Sequence, residues 1–433
     1  MIEPIPINEI LTHEYPDLDA ILSVLLLRQF GEEKFPGVSE AKVIFSSAGQ
    51  LPDDLTPRQL EKKGILAVDI GGGRFDSHPS VTTGRAKKDR SATDLVAEYL
   101  GVIDHPEWAL LVEYARLQDT TGHSLYSTNQ MHHLVSLHTI LLGLGLLHED
   151  DSATKLEKGL RIVENIPFYI RHKQDNFSSV LLREGIQTYL EKQGIDLDNP
   201  PAWISLFKQW FHRLHEKPKA AFGKNPMDRM VSLKAICQGA YFRFGEDMEQ
   251  VQPILELCLE AMFEREKNWQ DALDQYDQNT IVREIGELRF VAIESANGMV
   301  IKAARFRHKP DILVYRNPDD GAVTIFVQRR GKLERFPFES LAARIRLAEA
   351  IECEDAPDYD NLEAFGTHHG WFLHQSNIML IRGSKKQTDF IPTKIPLEMI
   401  NLIIYAIFDH ELEMQLPKPY VEAIWKYRNP LFR

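Results

Sequence analysis

Cysteine is nearly absent from this chain: Cys237, Cys258 and Cys353 are the only three in 433 residues. They lie far apart and form no pair motif, which excludes a cysteine-based zinc knuckle and fits a reducing cytoplasm. Long apolar runs are missing too. The strongest, "TILLGLGLLH", falls far short of a bilayer span, so no membrane partner is expected. No basic segment followed by an apolar stretch opens the sequence, and no secretory signal is expected. Positive charge is in deficit, with 50 Lys and Arg against 63 Asp and Glu, a net of −13. That balance excludes a general polyanion binder; action on nucleic acid would need local basic patches or metal ions to offset the field. What remains, 43% hydrophobic and 26% charged without low-complexity tracts, is a soluble globular composition, and the length calls for two or three domains.

Residues 1–126 alternate between strand and helix. "NEILTH" reads as a strand, and "DAILSVLLLRQFG" as a helix that Gly31 can end. "AKVIFSS" is strand-like, "LTPRQLEKKG" helical, and "GILAVDIGGG" a buried strand ending in a glycine turn. "SATDLVAEYLG" and "PEWALLVEYARLQDTTG" follow as helices, the second with a proline in its first turn. Such alternation implies a parallel sheet, where ligands bind at the carboxyl ends of strands. His13 falls just after one strand and Asp69 at the end of another.

Residues 127–279 read as almost wholly helical and hold an internal duplication. "NQMHHLVSLHTILLGLGLLHED" at 129–150 resembles "NPMDRMVSLKAICQGAYFRFGED" at 225–247, sharing Asn-x-Met and "VSL". His132, His133 and His138 look like a metal cluster, but Asp228, Arg229 and Lys234 align with them in the second copy. Side chains that vary so freely are expected at the surface. Residues 280–433 change character again. "IGELRFVAIES", "GMVIKAARF", "DILVYRN" and "AVTIFVQRR" are β-rich, and "NPDDG" is a turn. "FESLAARIRLAEAI" is an amphipathic helix, "WFLHQSNIMLIRGS" a strand-like stretch and "PLEMINLIIYAIFDH" a late helix, giving a smaller α/β or α+β domain.

Four segments supply imidazole or carboxylate near element ends: His13 with Asp17 and Asp19, Asp69 in "VDIGGG", Asp76 and His78 in "FDSHPS", and Asp119 in "LQDTTG". Taken singly each has an ordinary reading. An Asp-x-Asp after a strand commonly caps a helix, an aspartate before glycines is commonly a turn, and Asp119 is a polar residue past a helix end. Taken together, crowded carboxylates stay ionised only beside a cation. Imidazole with several carboxylates suits Mn²⁺, with Mg²⁺ or Co²⁺ as substitutes, and two ions bridged by one aspartate suit attack on phosphorus.

The order and spacing resemble the DHH phosphoesterase family. "THEYPDLDAILS" resembles its first motif, with Ser23 as the helical serine; "AVDIGGG" its second, "FDSHP" its third and "QDTTG" its fourth aspartate. The run "VDIGGGRFDSHPSVTTGRAKKDRSATDLVAEYLG" is similar to the melanocyte-proliferating-gene-one exonuclease branch, and "THHGWFLHQSNIMLIRGSKK" looks like that branch's late Phe-x-His segment. The resemblance implies a parallel-sheet metal domain followed by a carboxyl-terminal substrate domain. It implies two ions, Mn²⁺ or Mg²⁺, with His13 and Asp17 on one, Asp19 and Asp119 on the other, and Asp69 bridging and catalytic. His78 would contact substrate phosphate. One position departs: Ser77 stands where the family has a histidine ligand of the second metal. Either that ion binds weakly, or His78 replaces the ligand, or catalysis has lapsed.

Substrate contacts are sought in the last domain. Candidates are Lys302, Arg305, Arg307 and Lys309, then Arg329, Arg330, Lys332 and Arg335, and His368, His369 and His374. Most of these read as a solvated face, and His374, inside the matched segment, is the strongest. The expected activity is a metal-dependent phosphodiesterase, an exonuclease on single-stranded RNA or DNA. The alternatives are a phosphodiesterase of dinucleotides, cyclic dinucleotides or nucleotide bisphosphates, and a nucleotide-binding module that no longer cuts. The expected location is cytoplasmic, and a homodimer is left open.

Overall fold

The computed structural model describes residues 4–47, 51–77, 89–172, 179–328, 337–374, 378–383 and 390–429. The chain divides into two compact units, Met1–Lys267 and Asn268–Arg433. The molecule is mixed α/β: a parallel three-stranded sheet, a helical middle and a carboxyl-terminal sheet. None of the described helices is long and apolar enough to cross a membrane.

The first unit opens with β1 (Glu9–His13), α1 (Leu18–Phe30), β2 (Lys42–Ser46), α2 (Pro57–Lys62), β3 (Ile65–Ala67), α3 (Ala92–Leu100) and α4 (Ala109–Thr121). The strands lie in the order β2-β1-β3, all parallel, with Ile10 beside Val43 and Leu66. Buried Ile10 and Leu66 fix which face meets the helices. Caps set the helix starts. Asp17 Oδ1 accepts from the Asp19 and Ala20 amides at the head of α1, and Ser91 and Asp94 form a capping box at the head of α3. Two expectations at α4 fail. Pro106 lies in a turn ahead of the helix, where the Trp108 and Ala109 amides already close on the His105 carbonyl. Asp119 lies inside the last turn rather than past it.

The helical middle comprises α5 (Gln130–Leu134), α6 (Leu137–Leu147), α7 (Ser152–Val163), α8 (Ile166–Arg171), α9 (Ser179–Lys192), α10 (Ser205–Glu216), α11 (Pro226–Met230), α12 (Leu233–Arg243) and α13 (Met248–Asn279). Its apolar side chains share one core with the sheet, from Ile10 and Leu22 through Leu137 and Ile236 to Cys258. The duplication is structural. Asn129 and Asn225 each accept from the amide two residues on, and Ser136 and Ser232 each cap the next helix. Ser136 and Ser232 pair as an antiparallel bridge, with Leu137 N donating to Val231 O at 2.6 Å and Leu233 N to Val135 O at 2.8 Å. The two copies therefore meet about a local pseudo-twofold axis.

Each copy also packs against a helix downstream of the other, the first against α13 and the second against the head of α8. A Cβ on Gly143 would stand 1.7 Å from the Ala261 carbonyl oxygen, and one on Gly239 1.9 Å from that of Asn165. Glycine is required at both because backbone meets backbone there. The aligned polar residues are not the plain surface positions expected. Asp228 is buried and accepts from the Tyr126 and Ser127 amides, both at 2.9 Å. His132, His133 and His138 are half-buried, bonded to Ser127, Ser124 and Gln118 respectively; Lys234 is half-buried and only Arg229 is exposed. They differ between copies because the three histidines bond to the segment that precedes their own copy, whereas Asp228 reaches across to that same segment.

The second unit holds β4 (Thr280–Ile285), β5 (Leu288–Glu294), α14 (Val300–Arg307), β6 (Ile312–Arg316), β7 (Val323–Val327), α15 (Phe338–Glu352), β8 (Gly366–His368), β9 (Trp371–Leu373), β10 (Met379–Arg382), α16 (Leu397–Phe408), α17 (His410–Glu413) and α18 (Lys418–Arg428). The sheet order is β4-β5-β6-β7-β10-β9-β8, with β5 and β6 the one parallel pair. "GMVIKAARF" is a helix, not a strand. Its β-branched Val300 and Ile301 suggest a strand, but the buried residues Val300, Ala303 and Ala304 keep helical spacing. "WFLHQSNIMLIRGS" supplies two antiparallel strands, β9 and β10. Under them, fully buried Arg346 donates to the carbonyls of Leu362, Ala364, Gly366 and Trp371.

Candidate metal centre

Parallel strands β1 and β3 end side by side, and the first residues beyond their pairing carry the chemistry. His13 closes β1, Asp17 heads α1, and Asp69 follows β3 by two residues. One ligand atom from each lies within 4.8 Å of the others; among the described residues this is the one group of three or more such side chains that converges so. His13 Nε2 lies 3.2 Å from Asp69 Oδ2, with both residues buried, while Asp17 is exposed.

The turn after β3 is shaped to aim Asp69. Its backbone takes φ +56°, a left-handed conformation that costs a non-glycine residue about 1 kcal/mol or more, and Gly71 and Gly72 continue the turn at φ +77° and +71°. Asp69 N donates to Phe75 O at 2.8 Å, and Gly72 N to Asp76 Oδ2 at 2.6 Å. Arg74 anchors the turn with a two-pronged bond to Glu61 of α2, at 2.7 and 2.6 Å, its guanidinium lying over the Tyr99 ring. The loop bearing Asp17 is held as well: the Ser152 hydroxyl, at the start of α7, donates to the Glu14 carbonyl, and the Ser47 hydroxyl to the Glu14 side chain at 3.0 Å. One role of the helical middle is thus to brace this loop.

Asp19 lies outside the converging group. It is buried, and its two carboxylate oxygens accept from the Ala92 and Thr93 amides of α3 at 2.7 and 2.8 Å. Thr93 Oγ1 donates to the Asp19 carbonyl and shares a hydrogen bond with Ser23 Oγ. Asp119 is exposed in the last turn of α4 and acts on the other two through its charge. Burial, then the neighbouring Asp17 charge, pushes the Asp19 carboxyl up to about 7. Burial, and then Asp19, Asp17, Asp76 and Asp119, hold the Asp69 carboxyl well above the ordinary range. A site that raises its own carboxyls in this way is one where a cation competes with protons.

The donor types fit such a cation, and the 3.2 Å between His13 Nε2 and Asp69 Oδ2 is the spacing of adjacent ligands. Octahedral Mg²⁺ or Mn²⁺ with bonds of about 2.1 Å needs ligands roughly 3 to 4.2 Å apart, and one imidazole with two carboxylates is a hard, mixed donor set. Ser77 is buried, and Asp76 spends an oxygen on Gly72. His78, Arg329, Arg330, Lys332 and Arg335 lie outside the described residues. His374, in the second unit, is half-buried; its amide donates to the Met379 carbonyl at 3.0 Å. His369 Nε2 accepts from the Asp358 amide. Lys302, Arg305 and Arg307 belong to α14, where Arg307 pairs with Asp277 and Arg305 lies over the Phe326 ring.

Sequence reasoning missed the backbone grip of α3 on Asp19 and the Arg74–Glu61 anchor. The first left one trace, the capping box Ser91-x-x-Asp94 that starts a helix at that point. No protein-family model matches the chain, and no curated protein is significantly similar to it. The fold and this centre therefore stand on the chain's own geometry.

Proposed function

We propose that the protein is a divalent-metal-dependent phosphodiesterase of the DHH type, acting as an exonuclease on single-stranded RNA or DNA in the cytoplasm. The observation that carries the reading is the convergence of His13, Asp17 and Asp69 within 4.8 Å at the carboxyl ends of two parallel strands. His13, Asp17 and Asp69 would hold the ion, Mn²⁺ or Mg²⁺. Once bound, the ion supplies positive charge for phosphoryl oxygens and acidifies water at neutral pH. Burial and the neighbouring carboxylates favour the protonated forms of Asp69 and Asp19 in the ion-free site, and loading would favour release of those protons. Asp17 keeps α1 capped while offering its exposed carboxylate to the ion. His374 is the proposed phosphate contact of the second unit.

The test is Mn²⁺-dependent hydrolysis of end-labelled single-stranded RNA and DNA, with Asp69→Asn and Asp17→Asn as controls. Stepwise shortening is expected, reduced at least about 100-fold in either variant, since losing a metal ligand costs more than the 10- to 100-fold of an outer partner. Asn caps a helix as well as Asp does, so Asp17→Asn should stay folded. Cleavage of dinucleotides or cyclic dinucleotides but not oligomers would move the substrate to that smaller class. Binding of Mn²⁺ without hydrolysis of either would make this a nucleotide-binding fold.

A further inference from the structure

Alternation along three strands of the second unit separates a buried face from an open one. Trp371 and Leu373 of β9, Leu380 of β10, and Val323, Ile325 and Val327 of β7 join the core formed with α15 and α16. The residues between them share the opposite face: Phe372 and His374, Met379 and Ile381, Thr324 and Phe326. Register sets these in two rows. Phe372 lies beside Ile381 and Ile381 beside Thr324, while Met379 lies beside Phe326 and its carbonyl accepts from the His374 amide. Over β5 and β6 the same face is covered, because Val300, Ala303 and Ala304 of α14 pack with Val291, Ile293, Leu313 and Tyr315. Over β7, β10 and β9, Phe372 is 37% exposed and the other five are half-buried. The solvated face of such a sheet is ordinarily polar; this one carries three rings.

Its rim is cationic. The guanidinium of Arg305, on the exposed side of α14, lies 5.2 Å from the centre of the Phe326 ring, and exposed Lys302 sits one turn earlier. The Phe372 and His374 rings lie 6.2 Å apart two strands away from Phe326. Residues 299–310 hold four Lys and Arg and no Asp or Glu, in a chain whose net charge is −13. Rings beside a guanidinium suit a strand of bases, since every base offers a π-face and the cation meets the backbone charge. An apolar protein partner would desolvate Arg305 and Lys302 without offsetting their charge.

We propose that this face of the second unit is a stacking platform for single-stranded nucleic acid, with bases on Phe372 and Phe326 and a backbone phosphate at Arg305. The proposal rests on the single-stranded substrate read above and names where its bases are held. Stacking tolerates any base, so the platform holds a strand regardless of its sequence.

The experiment measures binding of a labelled single-stranded 20-mer to the full chain in the presence of a chelator, by fluorescence anisotropy. Phe372→Ala is expected to weaken binding about 5- to 100-fold, the range a lost base stack covers, and Phe372→Trp to hold or tighten it. Arg305→Gln is expected to weaken it severalfold. An abasic strand of equal length should bind the unaltered protein about as poorly as the 20-mer binds Phe372→Ala, an arm that depends on no variant folding. Equal affinity for abasic and normal strands, or no loss in Phe372→Ala, would overturn the platform. A dimer in sedimentation that Phe372→Ala dissociates, without strand binding, would assign the face to a second copy and overturn it too. Binding and hydrolysis are read apart. Mn²⁺-dependent shortening with unaltered Phe372→Ala binding sinks the platform alone, and strand binding that needs Phe372 but never leads to cleavage sinks the phosphodiesterase reading alone.

Discussion

Asp17 and Asp19 sit two residues apart and face opposite electrostatic fates. Asp17 is exposed at the head of α1, whereas Asp19 is buried against the head of α3. The buried pair Asp19 and Asp69 makes stability depend on pH in a defined direction. Their native carboxyls are raised, Asp19 to about 7 from an ordinary 3.8, so the ion-free native state binds protons more tightly than the unfolded chain. The Asp19 contribution is full below about pH 4 and is lost as pH rises towards about 7, and the Asp69 contribution has the same sign. An ion displaces those protons, so its effect has the opposite sign. Mn²⁺ is expected to raise the melting temperature of chelator-treated protein more at pH 8 than at pH 5. Equal shifts at both pH values in a thermal scan would show that these carboxyls do not release protons to the ion. His13, Asp17 and Asp69 were legible in the sequence because ligand-type residues there follow recognisable strands. Asp19's role was not, because the amides that hold it belong to a helix more than seventy residues away and carry no side-chain signature.

At the scale of elements, period and punctuation located most pieces correctly. Strands β1, β2, β6 and β7 and helices α1, α3 and α15 fall where their patterns place them, because buried positions and caps agree. The error at α14 came from weighing β-branched residues above spacing, and α18 was missed because its buried positions, Tyr420, Ala423 and Ile424, are few. The duplication was visible as "VSL", but its consequence, reciprocal packing, needed the glycines. Gly143→Ala and Gly239→Ala each place a methyl against a carbonyl oxygen of another helix. Each is expected to cost about 1–3 kcal/mol or more in urea unfolding, as overpacking a tight core does. Gly298, beside which a Cβ meets nothing, is the control. Loss at only one of the two equivalent glycines would argue against the reciprocal arrangement.

For the whole molecule, the net charge of −13 bears on substrate size. A polyanion approaching at about 20 mM salt feels that field across roughly 20 Å; at 0.15 M the screening length is about 8 Å. The kcat/KM for a single-stranded 20-mer is therefore expected to rise with salt over this range, with a smaller change for a dinucleotide. A steep fall, of the kind basic nucleic-acid binders show, would mean that a local cationic track guides the strand. The alternating strands and helices of the amino-terminal sheet and the sheet-rich carboxyl-terminal unit were readable from the sequence. That the helical middle shares its core with the first sheet was not, because apolar helix faces do not name their partners.

The pseudo-twofold seam at Ser136 and Ser232 has a consequence for engineering. The copies exchange backbone hydrogen bonds across the seam and bury their glycines in each other's neighbours, while the chain between them passes through an exposed turn near Gly194. Divided after Gly194, the chain is expected to give two fragments with complementary surfaces on which to reassemble, the three-stranded sheet travelling with the first.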